Sequence, residues 1–99
     1  MLSRIPIDLG RIKKEALDKE IFRAAIIAEL DAINLYEQMA GMTRNRNIKK
    51  LLLDVAREEK THVGELQTLL LREDPQQKNE LNEGGKEVDA LLSEEKTTH

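Results

Sequence analysis

Residues 52–69 read LLDVAREEKTHVGELQTL, and this stretch decides how the chain folds. Counting along it in alternating steps of three and four follows one face of an α-helix. That face is apolar except at Glu59 and His62, and residues three apart on a helix lie roughly 5–6 Å apart at Cβ. Burying a carboxylate without a partner costs several kcal/mol, so the pair predicts a bound cation. The predicted apolar seam consists of Leu52, Val55, Glu59, His62, Leu66 and Leu69.

The helix before this stretch has a matching seam that contains one carboxylate, Glu29. Gly41 and the polar residues 43–47 predict a short turn between the two helices, with an asparagine as the N-cap of the second. Helices joined by so short a turn are antiparallel neighbours. The seam of this first helix consists of Phe22, Ile26, Glu29, Ile33, Tyr36 and Ala40.

The whole pattern predicts an all-α protein: an antiparallel two-helix hairpin followed by a short C-terminal helix. Asp74 offers an N-cap for that third helix, and Gly84 with Gly85 predicts its end. We therefore expect one helical domain over residues 1–82 and a flexible polar tail or linker over residues 83–99. The three helices are predicted at residues 9–41, 47–73 and 75–82.

The composition sets limits on the function. Ninety-nine residues make one small domain, and with 35% charged and 2% aromatic residues its own core is thin, which favours self-association. No cysteine occurs, which excludes disulfides, iron–sulfur clusters and cysteine nucleophiles. The net charge of −3 argues against a nucleic-acid partner. Short apolar runs and the lack of a signal peptide predict a soluble, intracellular protein that does not bind membranes.

Glu29, Glu59 and His62 together make up half of a two-metal site. Di-iron carboxylate bundles use one glutamate from each of two helices and a Glu-x-x-His pair from each of the other two. Two copies related by a two-fold axis would complete that set. We therefore expect dimerisation into a four-helix arrangement with the site at the subunit interface. Carboxylate and imidazole ligands in this ratio suit iron, manganese or cobalt.

Three further residues lie near the predicted ligands in sequence. Tyr36 lies two helical turns from Glu29 and could donate a hydrogen bond or an electron to the site, or serve only as a packed tyrosine. Asp31 and Glu65 could guide ions toward the centre, or be ordinary solvated carboxylates. The residues alone leave each of these alternatives open.

The chain also resembles a known family, the encapsulated ferritins. The resemblance rests on residues 29–38, ELDAINLYEQ, followed by residues 57–62, REEKTH, and extends over about residues 15–80. It implies a ferritin-like domain that pairs into a four-helix arrangement and closes into a decameric ring of five dimers. It also implies ferroxidase activity, Fe(II) to Fe(III), at a di-iron centre between subunits, with Glu29, Glu59 and His62 as metal-binding and catalytic residues.

The same resemblance implies a place and a partner. Members of this family work inside an encapsulin nanocompartment in the cytoplasm, where the encapsulin shell protein encloses the iron mineral. The tail over residues 86–99 does not look like the shell-docking peptide of separate cargo proteins. The similarity is therefore greatest to archaeal versions fused ahead of the shell protein. Family members have a pair of acidic residues at the metal-entry site. This chain keeps one of them, Asp31, and has Ala28 at the position of the other.

Two other functions remain open from the sequence. The first is a peroxide-reducing di-iron or dimanganese protein, which would use the same ligands with another oxidant. The second is a metal-free helical adaptor that assembles partners through the same seam. The sequence does not distinguish dioxygen from peroxide as oxidant, or a separate cargo protein from part of a fusion.

Overall fold

A computed structural model describes residues 13–97, apart from the side chains of residues 15 and 94–97. Within this range the chain is all-α, as predicted: α1 is Lys14–Met42, α2 is Arg46–Glu73 and α3 is Pro75–Thr97. Lys13 is extended, so α1 begins at Lys14, later than predicted. The predicted first residues of that helix, 9–12, lie outside the described range.

The turn between α1 and α2 is built by side-chain caps. The Thr43 hydroxyl accepts a hydrogen bond from the backbone N–H of Asn45 at 3.1 Å. Asn45 Oδ1 then accepts from the backbone N–H groups of Asn47 at 2.9 Å and Ile48 at 3.1 Å. These bonds satisfy two of the donors that the start of α2 leaves unpaired. The predicted asparagine cap and the antiparallel hairpin are confirmed.

Small residues bring α1 and α2 together. Ala40 and Ala56 are almost fully buried at 1% exposure, and Ile33 and Leu70 are buried further along the same interface. Leu69, predicted in the seam, is instead 44% exposed. The predicted seam repeats every 3.5 residues, whereas a straight helix has 3.6 residues per turn, so it drifts by ~20° per heptad. Over the length of α2 this drift turns Leu70 toward α1 in place of Leu69.

The third helix is longer than the sequence predicts. It continues through Gly84 and Gly85 to Thr97, so the predicted end at these glycines is wrong. Neither glycine has a positive φ, so neither ends the helix. A glycine inside a helix costs ~1 kcal/mol relative to alanine, a cost that the strong helix formers around this pair can offset. The role of residues 83–99 as a tail or linker stays a prediction.

α3 projects sideways from the hairpin. α2 has 28 residues and is therefore about 42 Å long. Two such helices side by side form a rod about 20 Å wide, whereas the molecule measures 54 × 45 × 21 Å. Its radius of gyration is 17.8 Å, against about 13 Å for a compact domain of this length. A single chain therefore leaves much apolar surface exposed, as the composition indicates.

No helix among residues 13–97 is long and apolar enough to cross a membrane.

Candidate metal centre

The hairpin brings the three predicted ligands together. Glu29 comes from the middle of α1, and Glu59 and His62 come from the facing part of α2. His62 Nδ1 lies 3.3 Å from Glu59 Oε2 and 3.7 Å from Glu29 Oε2. One ligand atom from each residue lies within 4.8 Å of the other two. The structure thus places one nitrogen and two carboxylate oxygens around a common point.

Glu29 lacks the hydrogen bond that a buried carboxylate needs. Its Oε2 atom is buried and has no hydrogen-bond partner among the described residues. An unsatisfied buried oxygen of this kind is rare in proteins and costly, more so when it carries charge. His62 Nδ1 is its nearest cationic candidate, at 3.7 Å, which is too long for a hydrogen bond. A cation at this point would supply the missing interaction.

The donor set fits a transition-metal ion after a small adjustment. Nitrogen and oxygen ligands lie about 2.0–2.2 Å from such an ion, so two ligands of one ion are at most about 4.3 Å apart. The three ligand atoms lie within 4.8 Å of one another, so a small rotation of a carboxylate would bring all three within reach of one ion. In the geometry described, the contact between His62 and Glu59 fits a ring N–H that donates to the carboxylate. A metal ion would take the place of that proton.

His62 stands at the edge of the hairpin and is not in its core. Its side chain is 47% exposed, whereas those of Glu29 and Glu59 are 26% and 19% exposed. An exposed apolar row runs along α2 on both sides of His62, with Leu51 at 64% and Leu69 at 44% exposure. We call this row, Ile48, Leu51, His62 and Leu69, the His62 face. The exposed Glu58, seven residues after Leu51 and four before His62, lies on the same face. A largely apolar face that holds one candidate metal ligand is a surface on which a second copy could complete a site.

The other residues singled out from the sequence lie outside this cluster. Tyr36 and Asp31 are half-buried on α1, and Glu65 is exposed on α2. Glu58 is exposed and lies beside the guanidinium of Arg57, whereas the next residue, Glu59, is half-buried. The two neighbouring glutamates of α2 therefore differ in their contact with solvent. The suggested roles of Tyr36, Asp31 and Glu65 stay predictions.

Two ion pairs that join separate helices were not predicted from the sequence. Lys60 Nζ donates to Glu37 Oε2 at 3.0 Å and links α2 to α1. Arg23 on α1 donates to Asp74 at the start of α3. Both pairs join distant parts of the chain, 23 and 51 residues apart, so helical spacing alone could not reveal them. A surplus of charged residues on predicted facing helices is the only signal that the sequence offers.

Comparisons with known proteins give the family. Residues 20–98, four-fifths of the chain, match the family described as Rubrerythrin. The chain belongs to the rubrerythrin family. Within it, the crystal structure of an encapsulated ferritin domain from Pyrococcus furiosus superposes with a TM-score of 0.80 at 53% identity. That match covers 94% of this chain and 97% of the other, so the resemblance to encapsulated ferritins is confirmed.

Two curated relatives of this rubrerythrin-family chain are longer proteins. A ferritin-like-encapsulin shell fusion protein of Pyrococcus furiosus is 58% identical over 94 residues, which are 92% of this chain and 27% of that protein. An encapsulin nanocompartment cargo protein of Myxococcus xanthus is 38% identical over 69 residues, 67% of this chain and 53% of that protein. The chain therefore spans about a quarter of the length of the first relative and about half of the length of the second.

Proposed function

We propose that two copies of this chain form a ferroxidase centre that oxidises Fe(II) to Fe(III). The observation that carries the proposal is the cluster of Glu29, Glu59 and His62, in which a buried Glu29 oxygen has no hydrogen-bond donor among residues 13–97. Membership of the rubrerythrin family supports an iron-oxidising role at such a cluster.

The cluster supplies only half of a two-metal site, which is why the proposal requires a pair of chains. A di-iron centre in a helical bundle uses four glutamates and two histidines. One chain offers two glutamates and one histidine, and the His62 face beside them carries the exposed apolar residues Ile48, Leu51 and Leu69. Pairing across this face would bury the apolar row and bring the second half of the ligands to the same place.

Each ligand has a distinct task in the proposed centre. Glu59 and His62, three residues apart on α2, would hold one ferrous ion between them, and Glu29 from α1 would be the candidate bridge across the two-fold axis. Two ferrous ions give up one electron each, and dioxygen with two protons becomes hydrogen peroxide. The half-buried carboxylates stabilise the rise in positive charge, because their charge acts more strongly at low dielectric than in water.

The named relatives support a setting for this reaction. One is described as a fusion to an encapsulin shell and another as the cargo of an encapsulin nanocompartment. We propose that this domain works inside such a compartment in the cytoplasm, with the encapsulin shell protein as its partner. There it would pass ferric iron to a mineral store. The decameric ring of five dimers implied by the resemblance belongs to the same proposal.

Fe(II) oxidation by the metal-free, anaerobically prepared protein tests the proposal. Oxygen uptake and ferric absorbance are followed after Fe(II) is added, for the parent protein and for Glu29→Ala, Glu59→Ala and His62→Ala. Loss of a hydrogen-bond partner of a ligand already costs 10–100-fold, so loss of a ligand should cost more than roughly tenfold. Glu58→Ala is the matched control, because it removes an exposed carboxylate one position away.

The same assay, together with elemental analysis, distinguishes the ferroxidase from the peroxide-reducing protein and the metal-free adaptor. Equal losses for Glu58→Ala and Glu59→Ala would overturn the assignment of the site. Oxidation that proceeds with hydrogen peroxide and not with dioxygen would indicate the peroxide-reducing function. A protein that takes up no iron, manganese or cobalt by elemental analysis would be a metal-free adaptor.

A further inference from the structure

A groove separates α3 from the hairpin at the point where α3 leaves it. The groove has a volume of about 340 Å³ and lies between α1, the end of α2 and the first two turns of α3. Ile27 of α1 and Leu81 of α3 both line it and are 41% and 45% exposed, and the buried Leu70 of α2 lines it as well. Apolar side chains of all three helices therefore border a space that α3 leaves unfilled.

Few contacts hold α3 in this position. Asp74 is the only residue between α2 and α3, so the link between these helices is very short. Among residues 13–97, the backbone of α3 comes within 8 Å of α2 and not of α1. The direction of α3 therefore depends on the link and on the side chains beside it.

Arg23 connects α1 to this link across the groove. Its side chain lines the groove, and its guanidinium donates a hydrogen bond to Asp74. Asp74 also accepts from the backbone N–H of Gln77 in the first turn of α3. The Asp74 side chain is only 9% exposed, so the ion pair is less screened by water than a pair on the open surface. While this pair holds, the long side chain of Arg23 stays in the space that α3 would need in order to reach α1.

We propose that the Arg23–Asp74 ion pair is a strut that holds α3 open, and that α3 closes over the groove onto its own hairpin when the strut is removed. Closure would bury Leu81 against Ile27, and the removal of apolar surface from water favours it. The change needs rotation at the link and no unfolding of a helix. The inference does not depend on iron chemistry and is tested on metal-free protein.

A small rotation at the link moves the far part of α3 a long way. Asp89 lies 15 residues beyond Asp74. This spacing is about 22 Å along the helix, so each rotation by about 10° displaces Asp89 by roughly 4 Å. Asn34 on α1 and Asp89 on α3 are both exposed, and neither lines the groove. Probes at these two positions therefore report closure without touching the strut.

Pulsed electron–electron double resonance between two spin labels tests the strut. The chain has no cysteine, so Asn34→Cys with Asp89→Cys places one label on α1 and one on α3. Labelled protein is mixed with an excess of unlabelled protein of the same variant, so that the measured distance arises within one chain. We expect the labels to approach by several ångströms when Arg23→Gln and Asp74→Asn are combined. Both charges are removed together because either one alone would be left uncompensated, and asparagine can still cap the first turn of α3.

Glu37→Gln with Lys60→Gln is the matched control. It neutralises the other ion pair between separate helices, in which Lys60 Nζ lies 3.0 Å from Glu37 Oε2, and neither residue lines the groove. The distance between the labels should stay that of the parent. Adding Leu81→Ser to the variant without the strut should reduce the fraction with the short distance, because closure then buries less apolar surface. Leu91→Ser, at an exposed leucine of α3 outside the groove, should leave that fraction unchanged.

Four results would contradict the strut. The first is an unchanged or longer distance when Arg23 and Asp74 are both neutralised, and the second is an equal shift in the Glu37 and Lys60 control. The third is a short distance that persists in full after Leu81→Ser. The fourth is a loss of helix, measured by circular dichroism, in the variant without the strut, since the ion pair is proposed to set the direction of α3 and not to hold a helix together.

Discussion

Arg23 and Asp74 join the three helices through a single carboxylate. Asp74 Oδ2 accepts a hydrogen bond from the guanidinium of Arg23 on α1. Its Oδ1 accepts from the backbone N–H of Gln77 in the first turn of α3, at 3.1 Å. Asp74 itself closes α2 and is only 7% exposed. The direction in which α3 leaves the hairpin therefore depends on this residue.

Acid should weaken the protein through Asp74. The Gln77 N–H and the Arg23 guanidinium hold the pKa of Asp74 below its ordinary value, although burial acts in the opposite direction. A lowered pKa stabilises the folded state above about pH 4, and this contribution is lost as the pH falls through the folded-state pKa. We expect the melting temperature of Asp74→Asn, which keeps a cap but has no charge, to fall less between pH 6 and pH 3 than that of the parent. Equal slopes for the two proteins would contradict the prediction.

Glu29→Leu should stabilise the metal-free protein while removing the proposed activity. The substitution replaces a buried, unsatisfied carboxylate oxygen by an apolar side chain of similar size. Relief of such a group is worth about 1–3 kcal/mol. The free energy of unfolding in urea, measured with a chelator present, checks this value. Glu58→Leu is the control and should stay within about 0.5 kcal/mol of the parent, because Glu58 is exposed. A destabilised Glu29→Leu protein would show that Glu29 is satisfied in a way that the single chain does not reveal.

Iron should favour the paired state. If each chain holds half of the ligands, a metal that binds only the pair stabilises it by mass action. Sedimentation at low protein concentration, with and without Fe(II) in the absence of oxygen, should show more pairs when iron is present. His62→Ala should lose this response, and Glu58→Ala should keep it. Full metal occupancy in single chains would refute the shared site.

The isolated protein should oxidise iron without retaining it. The molecule is only 21 Å thick in its shortest dimension, and the proposed site lies on a face that pairing would cover. No hollow of mineral size follows from such a shape. Chromatography after Fe(II) oxidation, with detection of both iron and protein, should therefore show ferric oxide separating from the protein. Co-elution of hundreds of soluble iron atoms with the protein alone would overturn this expectation.

Helical periodicity was sufficient to predict the hairpin and the meeting of the three proposed ligands. Glu29, Glu59 and His62 interrupt apolar seams, and antiparallel packing then brings those interruptions to the same level. The Asn45 cap was predictable too, because it depends on residues within one turn of the chain. Such features depend on local spacing, which a sequence displays directly.

Three features were outside the reach of that reasoning. Gly84 and Gly85 are weak helix formers, yet a helix continues when its neighbours favour it, and single-residue propensities do not decide such a balance. The exposure of His62 depends on how far around α2 the side chains of α1 reach. That reach is set by the packing of the two helices and not by residue spacing. Arg23 and Asp74 likewise meet only because the hairpin has formed.

The division of ligands between α1 and α2 of one chain has a consequence for how the proposed site fills. In a two-fold pair both iron positions are built from the same three residues, so they are identical by symmetry before any ion arrives. Any difference between the first and second binding constants beyond the statistical factor for two equivalent positions then reports coupling between the positions, such as repulsion between the two cations, and not a difference in their surroundings. A substitution at Glu29 likewise alters both positions at once, so evolution cannot tune one iron independently of the other.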